Sequence, residues 1–305
     1  MREQFGLSSQ MTVRAIAKAI DTYKRDKSKS CTFNPKGAVV YDERLMSFKK
    51  DHHVSLLTLS GRQLIPLIFG KYQSDLLPYM KGQADLILRD GVFYLFATVD
   101  LPNVTPIETT GILGIDLGIV EIATDSEGHS YSGEKVKTVR RKTRRIRALL
   151  QSKGTKSAKK HLKRINRKQS RFVRDTNHCI SKQLVTTASS STKAIALEDL
   201  AGIRERADGY GREMRWLMGN WAFYQLRQFI TYKAYAVGIP VVLVNPRNTS
   251  RECHECGYID KANRKSQAHF HCIQCGHDTN ADKNAALNIM ARAAVNLPIV
   301  AAVRG

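Results

Sequence analysis

Residues 111–118 read GILGIDLG, and this stretch decides the fold. Apolar and glycine residues run up to Asp116, and Leu117-Gly118 follows it. An apolar run this short, bounded by turn residues, is a buried strand, which leaves a carboxylate at the strand's end. Downstream, VEIATD (120–125) and HSYSG (129–133) make a hairpin through Glu127-Gly128. Then come a long basic segment, the strand-like KAIALED (193–199), and a loop bearing Gly, Arg and Trp (201–216). The amphipathic NWAFYQLRQFITYKAYAVG (220–238), the buried strand IPVVLVN (239–245), a cysteine module and a last helix from about Asp282 complete the chain. Strands alternating with helices predict an α/β arrangement.

Upstream, residues 1–110 read as a separate unit of one helix, TVRAIAKAIDTYKRDK (12–27), and antiparallel strands. ADLILRD and VFYLFATVD flank Asp90-Gly91, a strong hairpin signal. VSLLTLS and RQLIPLIF supply further strands, and the stretch 101–110 reads as a linker.

The 305 residues carry 49 Lys and Arg against 27 Asp and Glu, a net charge of +22. Such an excess favours a polyanion, and nucleic acid is the commonest. No apolar run approaches the roughly 18 residues of a spanning helix, and no signal-peptide core opens the chain. A cytoplasmic, nucleoid-associated protein with no membrane partner is expected. Most of the charge sits between Lys135 and Arg174, where 18 basic residues meet no acid. Val139, Ile146 and Leu150, then Ala158, Leu162, Ile165, Phe172, Ile180 and Leu184, keep helical spacing on either side of Ser152-Lys153-Gly154. Two basic helices folded into a hairpin over 134–190 fit this pattern. Soluble helices normally mix both signs, so uncompensated repulsion points to a phosphate backbone as the partner. The candidate contacts are Arg140, Arg141, Lys142, Arg144, Arg145, Lys159, Lys160, Lys163, Arg164, Arg167 and Arg171. Trp216 and Arg215 are candidates for a place beside the cleft, with Trp216 and Trp221 as core residues the plainer reading.

Cys253, Cys256, Cys272 and Cys275 form C-x2-C-x15-C-x2-C, with glycines in the turns HECG and IQCG. Four thiolates complete a closed tetrahedral shell, so a structural Zn2+ is expected, and the nearby His254, His269, His271 and His277 are not needed for it. Cys31 and Cys179 read as idle thiols.

Three acids stand where an α/β core gathers them: Asp116 and Glu198 at strand ends, Asp282 at a helix start. Carboxylates brought together there would repel unless Mg2+ or Mn2+ lay between them. Two such ions about 3.5–4 Å apart can activate water and stabilise the leaving oxygen of a phosphodiester. Each acid also has a plainer reading: Asp282 as a helix cap, Glu198-Asp199 as a strand-end turn, Asp116 as a turn residue.

GIDLG, the basic hairpin, ALEDL, NPRNTSRECHECG, the second C-x-x-C and NADKNAALNI occur in this order. In that combination, over roughly 111–296, the chain resembles the TnpB (OrfB) proteins of insertion sequences, relatives of the type V CRISPR effectors. The resemblance implies a RuvC-like, RNase H-fold nuclease core over 111–251, a zinc-ribbon target-nucleic-acid-binding insert over 252–279, and a C-terminal RuvC-like helix and tail over 280–305. Residues 1–110 then correspond to a β-barrel-like wedge and recognition remnant, shorter than is usual in the family. The resemblance further implies Asp116, Glu198 and Asp282 as the metal-binding catalytic acids of a DNA endonuclease directed by a guide RNA to target DNA. A non-cleaving accessory of transposition and a guide-free resolvase are the alternatives. The order of motifs around the cysteines argues against a DDE transposase.

Overall fold

The computed structural model describes residues 2–49, 51–200 and 211–301, which form two compact units, 1–103 and 104–305.

The first unit opens with a helical turn, α1 (Arg2–Phe5), and α2 (Ser9–Arg25), whose N-cap Ser8 accepts a 3.3 Å hydrogen bond from the Met11 amide. The strands are β1 (Val39–Tyr41), β2 (Met46–Lys49), β3 (His53–Thr58) and β4 (Gly61–Pro66), then, after α3 (Lys71–Leu76), β5 (Met80–Arg89) and β6 (Val92–Val99). Asp90 and Gly91 both take positive φ, 52° and 83°, in the two-residue turn that joins β5 to β6. These strands form two separate three-stranded antiparallel sheets, β1-β5-β6 and β2-β3-β4. Tyr41, Met46, Val54, Leu56 and Ala84 build their shared core, with Met11 of α2 packed against it. Arg14 on α2 ties the helix to this core by a 2.6 Å ion pair with the buried Asp42.

The second unit is built on a five-stranded sheet in the order β11-β10-β7-β8-β9. Its strands are β7 (Gly111–Asp116), β8 (Glu121–Asp125), β9 (Ser130–Ser132), β10 (Lys193–Glu198) and β11 (Val241–Val244). The first three run as an antiparallel meander, whereas β10 lies parallel to both β7 and β11. Leu113 and Ile115 of β7 and Ile195 and Leu197 of β10 are fully buried, as the apolar run required. By contrast, β11 is an edge strand and leaves Leu243 46% exposed.

Helices α4 (Glu134–Lys153) and α5 (Lys156–Ser190) form the basic hairpin. Gly154 takes the left-handed conformation (φ 63°) that ends α4, and the Thr155 side chain caps α5 through the Ala158 amide at 3.1 Å. Next come α6 (Arg212–Asn220) and α7 (Phe223–Ala236); residues 201–210 of the preceding loop lie outside the described residues. Ile180, Leu184 and Ala188 of α5 and Leu226, Ile230 and Ala234 of α7 share the main core with β7 and β10. The short strands β12 (His269–His271) and β13 (Asp278–Asn280) belong to the cysteine module and lead into α8 (Ala281–Ala301). No described helix is long and apolar enough to cross a membrane.

Helix α8 packs directly on β7 because β7 carries a glycine at the contact. A Cβ on Gly114 would lie 2.1 Å from the Ala286 carbonyl oxygen and 2.7 Å from the Met290 nitrogen, both backbone atoms that cannot step aside. Gly114→Val is therefore expected to lower stability by more than the roughly 1–3 kcal/mol typical of overpacking, read as a drop in the urea midpoint.

Candidate functional site

The parallel register between β7 and β10 pairs Leu197 with Ile115. Asp116 and Glu198, one residue further on, thus end neighbouring strands at the same edge of the sheet. Asp282 lies in the first turn of α8, the helix packed on β7. Three segments separated by some eighty residues each are brought together this way. Glu198 and Asp282 are both 8% exposed, and Asp116 is half-buried.

Their proximity shows in their electrostatics. Burial, and then the negative charges of Glu198 and Asp282, hold the Asp116 carboxyl well above the usual range, against the opposing charge of Arg264. Burial raises Glu198, while the Thr249 hydroxyl, which donates to its Oε1, and Arg292 act the other way. Burial also raises Asp282, opposed by Arg264, whose Nη2 lies 3.2 Å from Asp282 Oδ1. Carboxylates so placed fit a hard divalent cation, whose charge would relieve both desolvation and mutual repulsion. They do not form a tight cage: among the described residues, the groups whose donor atoms all fall within 4.8 Å are elsewhere, at the four cysteines and at His254, Glu255 and His277.

The capping role open to Asp282 belongs to Asn280. The Asn280 Oδ1 accepts from the amides of Asp282 (2.9 Å) and Lys283 (3.1 Å), which frees the Asp282 carboxylate to face the acid cluster. Asn284 and Asn288 repeat at four-residue spacing on the same helix. Asn284 donates to the Glu252 carbonyl (2.7 Å) and accepts the His254 amide (3.2 Å). Asn288 donates to the carbonyls of Thr249 (2.9 Å) and Glu252 (2.7 Å). The cysteine module and the Thr249 loop are thereby stitched to the helix that carries Asp282. Sequence reading missed Thr249, Arg264, Asn284 and Asn288, and also Glu121 on β8, whose carboxyl is raised by burial and by the charge of Asp282. The i, i+4 repeat of asparagines was the one signal available for them.

In the module, Cys253 Sγ lies 3.7 Å from Cys275 Sγ, and Cys256 Sγ 3.6 Å from Cys272 Sγ. A tetrahedral shell with metal–sulfur bonds of about 2.3 Å sets its sulfurs about 3.8 Å apart, so the cluster fits a four-thiolate cation site. Gly257 and Gly276 close the two turns at φ 73° and 75°, and their amides bond back to the carbonyls of Cys253 (2.8 Å) and Cys272 (2.9 Å). Buried Asn263 links the turns, donating to the Arg251 and Tyr258 carbonyls and accepting the Ile273 amide. His269 and His271 pair with Asp278 at 2.8 and 3.0 Å.

The basic candidates divide. Arg141, Lys142, Arg145, Lys159, Lys160, Lys163, Arg164, Arg167 and Arg171 are exposed along α4 and α5. Arg140 is only 8% exposed, beside Val136 and Trp221, and burial lowers its pKa; it faces inward because its helical turn is the one packed on the core. Arg144 stacks over Trp216 (4.6 Å) and pairs with Glu213 at 2.8 Å, locking α4 to α6. Arg215 is exposed and Trp221 lies in the core.

Comparison with known proteins adds to this geometry. Residues 97–201 match the OrfB_IS605 family, described as a probable transposase, and residues 223–289 match the Cas12f1-like TNB domain. The chain is 34% identical over 219 residues to the CRISPR-associated endodeoxyribonuclease Cas12f1 of Sulfoacidibacillus thermotolerans, a match covering 66% of this chain and 50% of that protein. It is 32% identical over 149 residues to a TnpB-like protein of Methanocaldococcus jannaschii, covering 49% of this chain and 52% of that one. The chain thus spans about half the length of these relatives. A cryo-EM structure of a Cas12f1-sgRNA-target DNA complex shares the α/β fold, with a TM-score of 0.50 at 20% identity over 89% of this chain and 74% of that one. Residues 97–201 and 223–289 are thus similar to segments of the OrfB and Cas12f1-like proteins.

Proposed function

We propose that the chain is a Mg2+-dependent, RuvC-like endodeoxyribonuclease of the TnpB type, directed to target DNA by a guide RNA. One observation carries this reading: three distant acids meet at one sheet edge, where their charges oppose one another. The relatives named as endodeoxyribonuclease and TnpB-like proteins, and the guide-bound structure of similar fold, support the same class.

Asp116, whose carboxyl feels the charges of both other acids, would hold Mg2+ together with Glu198 and Asp282. Mg2+ held there supplies positive charge that polarises the scissile phosphodiester and acidifies an attacking water. The chain's own groups prepare the site. Thr249 orients Glu198, Arg264 balances Asp282, and the exposed cations of α4 and α5 hold nucleic acid by its backbone without reading its sequence. A Zn2+ on Cys253, Cys256, Cys272 and Cys275 would stiffen the module that delivers Arg264. The proposed organisation keeps residues 1–110 as a wedge-like region, 111–251 as the nuclease core, 252–279 as the zinc ribbon and 280–305 as the closing helix and tail.

Purified protein with its co-purified RNA should cut DNA carrying the matching target in Mg2+. Asp116→Ala should reduce that rate by at least about 10²-fold, the scale for losing one electrostatic stabiliser. Cutting at an unchanged rate by the variant would remove Asp116 from the chemistry.

Linkage gives a second expectation. An acid whose folded pKa is raised binds protons more tightly in the folded state. Its contribution is therefore most favourable below its unfolded pKa and is lost as pH rises through the raised value. In EDTA, Asp116→Asn should melt higher than the parent, by about 2–4 °C per kcal/mol of relieved repulsion, with a gap that widens from pH 4 towards neutrality. Added Mg2+ should raise the parent's Tm and narrow the gap. A gap that does not change with pH and Mg2+ would separate Asp116 from any cation site.

Binding to duplex DNA should depend steeply on salt. Neutralising on the order of 6–10 phosphates corresponds to a fall of about 10³–10⁵ in affinity from 50 to 200 mM salt. Arg164→Ala should weaken binding evenly across sequences and reduce the log–log salt slope by about 1. Arg140→Ala should instead lower thermal stability while leaving that slope intact.

A further inference from the structure

We propose a second metal site in the cysteine module, formed by His254, Glu255 and His277 and suited to a zinc-class cation. The proposal goes beyond the cutting reaction and does not rest on it. One donor atom from each residue lies within 4.8 Å of the others. His254 Nε2 is already 3.1 Å from Glu255 Oε1, close to the roughly 3.3–3.5 Å that separates donors around a tetrahedral cation with bonds of 2.0–2.2 Å. The two imidazoles meet edge to face with centroids 4.9 Å apart.

Two ring nitrogens are left over. His277 Nε2 is buried without a hydrogen-bond partner and can serve an ion beside His254 Nε2 and Glu255, whereas His254 Nδ1, also unpaired, points away from that position on its own ring. Burying a polar atom unpaired is costly, and a group in that condition calls for an unseen partner. The other two histidines of the module differ, since both bond Asp278. The backbone fixes the two rings independently of any second ion. His254 lies inside the first cysteine turn, with its amide held by Asn284, and the His277 carbonyl accepts the Cys272 amide at 2.8 Å just after the second turn. Closing the four-thiolate cluster therefore sets both rings side by side. Two imidazoles and a carboxylate suit zinc, and three protein donors leave a fourth position for water or an anionic oxygen. Glu255 is 58% exposed and free to close on the ion.

The full chain equilibrated in a series of zinc buffers should bind two zinc ions, the second more weakly than the first. Co2+ substitution reads the sites separately, because thiolate-to-cobalt charge transfer arises only from the cysteine site. Glu255→Ala, at an exposed side chain, and His277→Ala should each weaken the second ion by at least about tenfold while keeping the charge-transfer band. A parent chain that binds one ion throughout would overturn the proposal. So would a second ion whose affinity is unchanged in both variants, or loss of the charge-transfer band along with it, which would assign these groups to the thiolate site.

Discussion

The constraint on which the site depends is the forced meeting of like charges. Asp116 and Glu198 end adjacent strands in parallel register, and Asp282 opens the helix lying against the first of them. A shift of one residue in either strand would turn its acid to the opposite face of the sheet. Gly114 fixes the third arm, since only a residue without a Cβ lets α8 approach the β7 backbone. None of these contacts gains from the acids. Leu113, Ile115, Ile195, Leu197 and Leu184, all buried, and Ile289 and Ala293 on the other side supply the favourable free energy, and the acids oppose it. A divalent cation held there would relieve that repulsion.

The cysteine module shares that scaffold. Its own apolar core is very small, with Phe270 and Ala281 beside two of the cysteines, so packing alone gives it little rigidity. Its order comes from the closing of the four thiolates and from the asparagines of α8. Those asparagines stand on the same helix as Asp282, and Arg264 reaches from the module to the Asp282 carboxylate. Displacing the module would therefore withdraw a positive charge from the acid cluster, so the module's position and the electrostatics of the acids are coupled through α8.

Much of this was legible because local chemistry and the fold agree. Asp90-Gly91 marks its hairpin since both residues tolerate positive φ, and Gly154 ends α4 for the same reason. The apolar run before Asp116 can only be a buried strand, and the cysteine spacing is itself a geometry. What could not be read was contact between segments far apart in the chain. Nothing in the sequence around Arg264 says that it faces Asp282, and Thr249 looks like any loop threonine until its hydroxyl meets Glu198. Arg140 was misjudged for a related reason. Charge composition describes a helix as a whole, whereas burial varies turn by turn, and the turn bearing Val136 and Arg140 is the one packed on the core. The IPVVLVN run was likewise too apolar to look like an edge strand.

The same variation explains how so basic a hairpin folds. In α5, Ala158 is the sole buried residue before Val173, while Ile180, Ser181, Leu184, Val185 and Ala188 are buried after it. The C-terminal half of α5 is therefore an anchor in the core, and the N-terminal half is a surface arm supported chiefly by α4. Lys159, Lys160, Lys163, Arg164, Arg167 and Arg171 all lie in that arm, where exposed charges are screened by water and salt and their repulsion takes least from the stability of the sheet. A helix of 35 residues is about 52 Å long, far more than a helix needs to cover five strands. The extra length carries the charge of α5 away from the core.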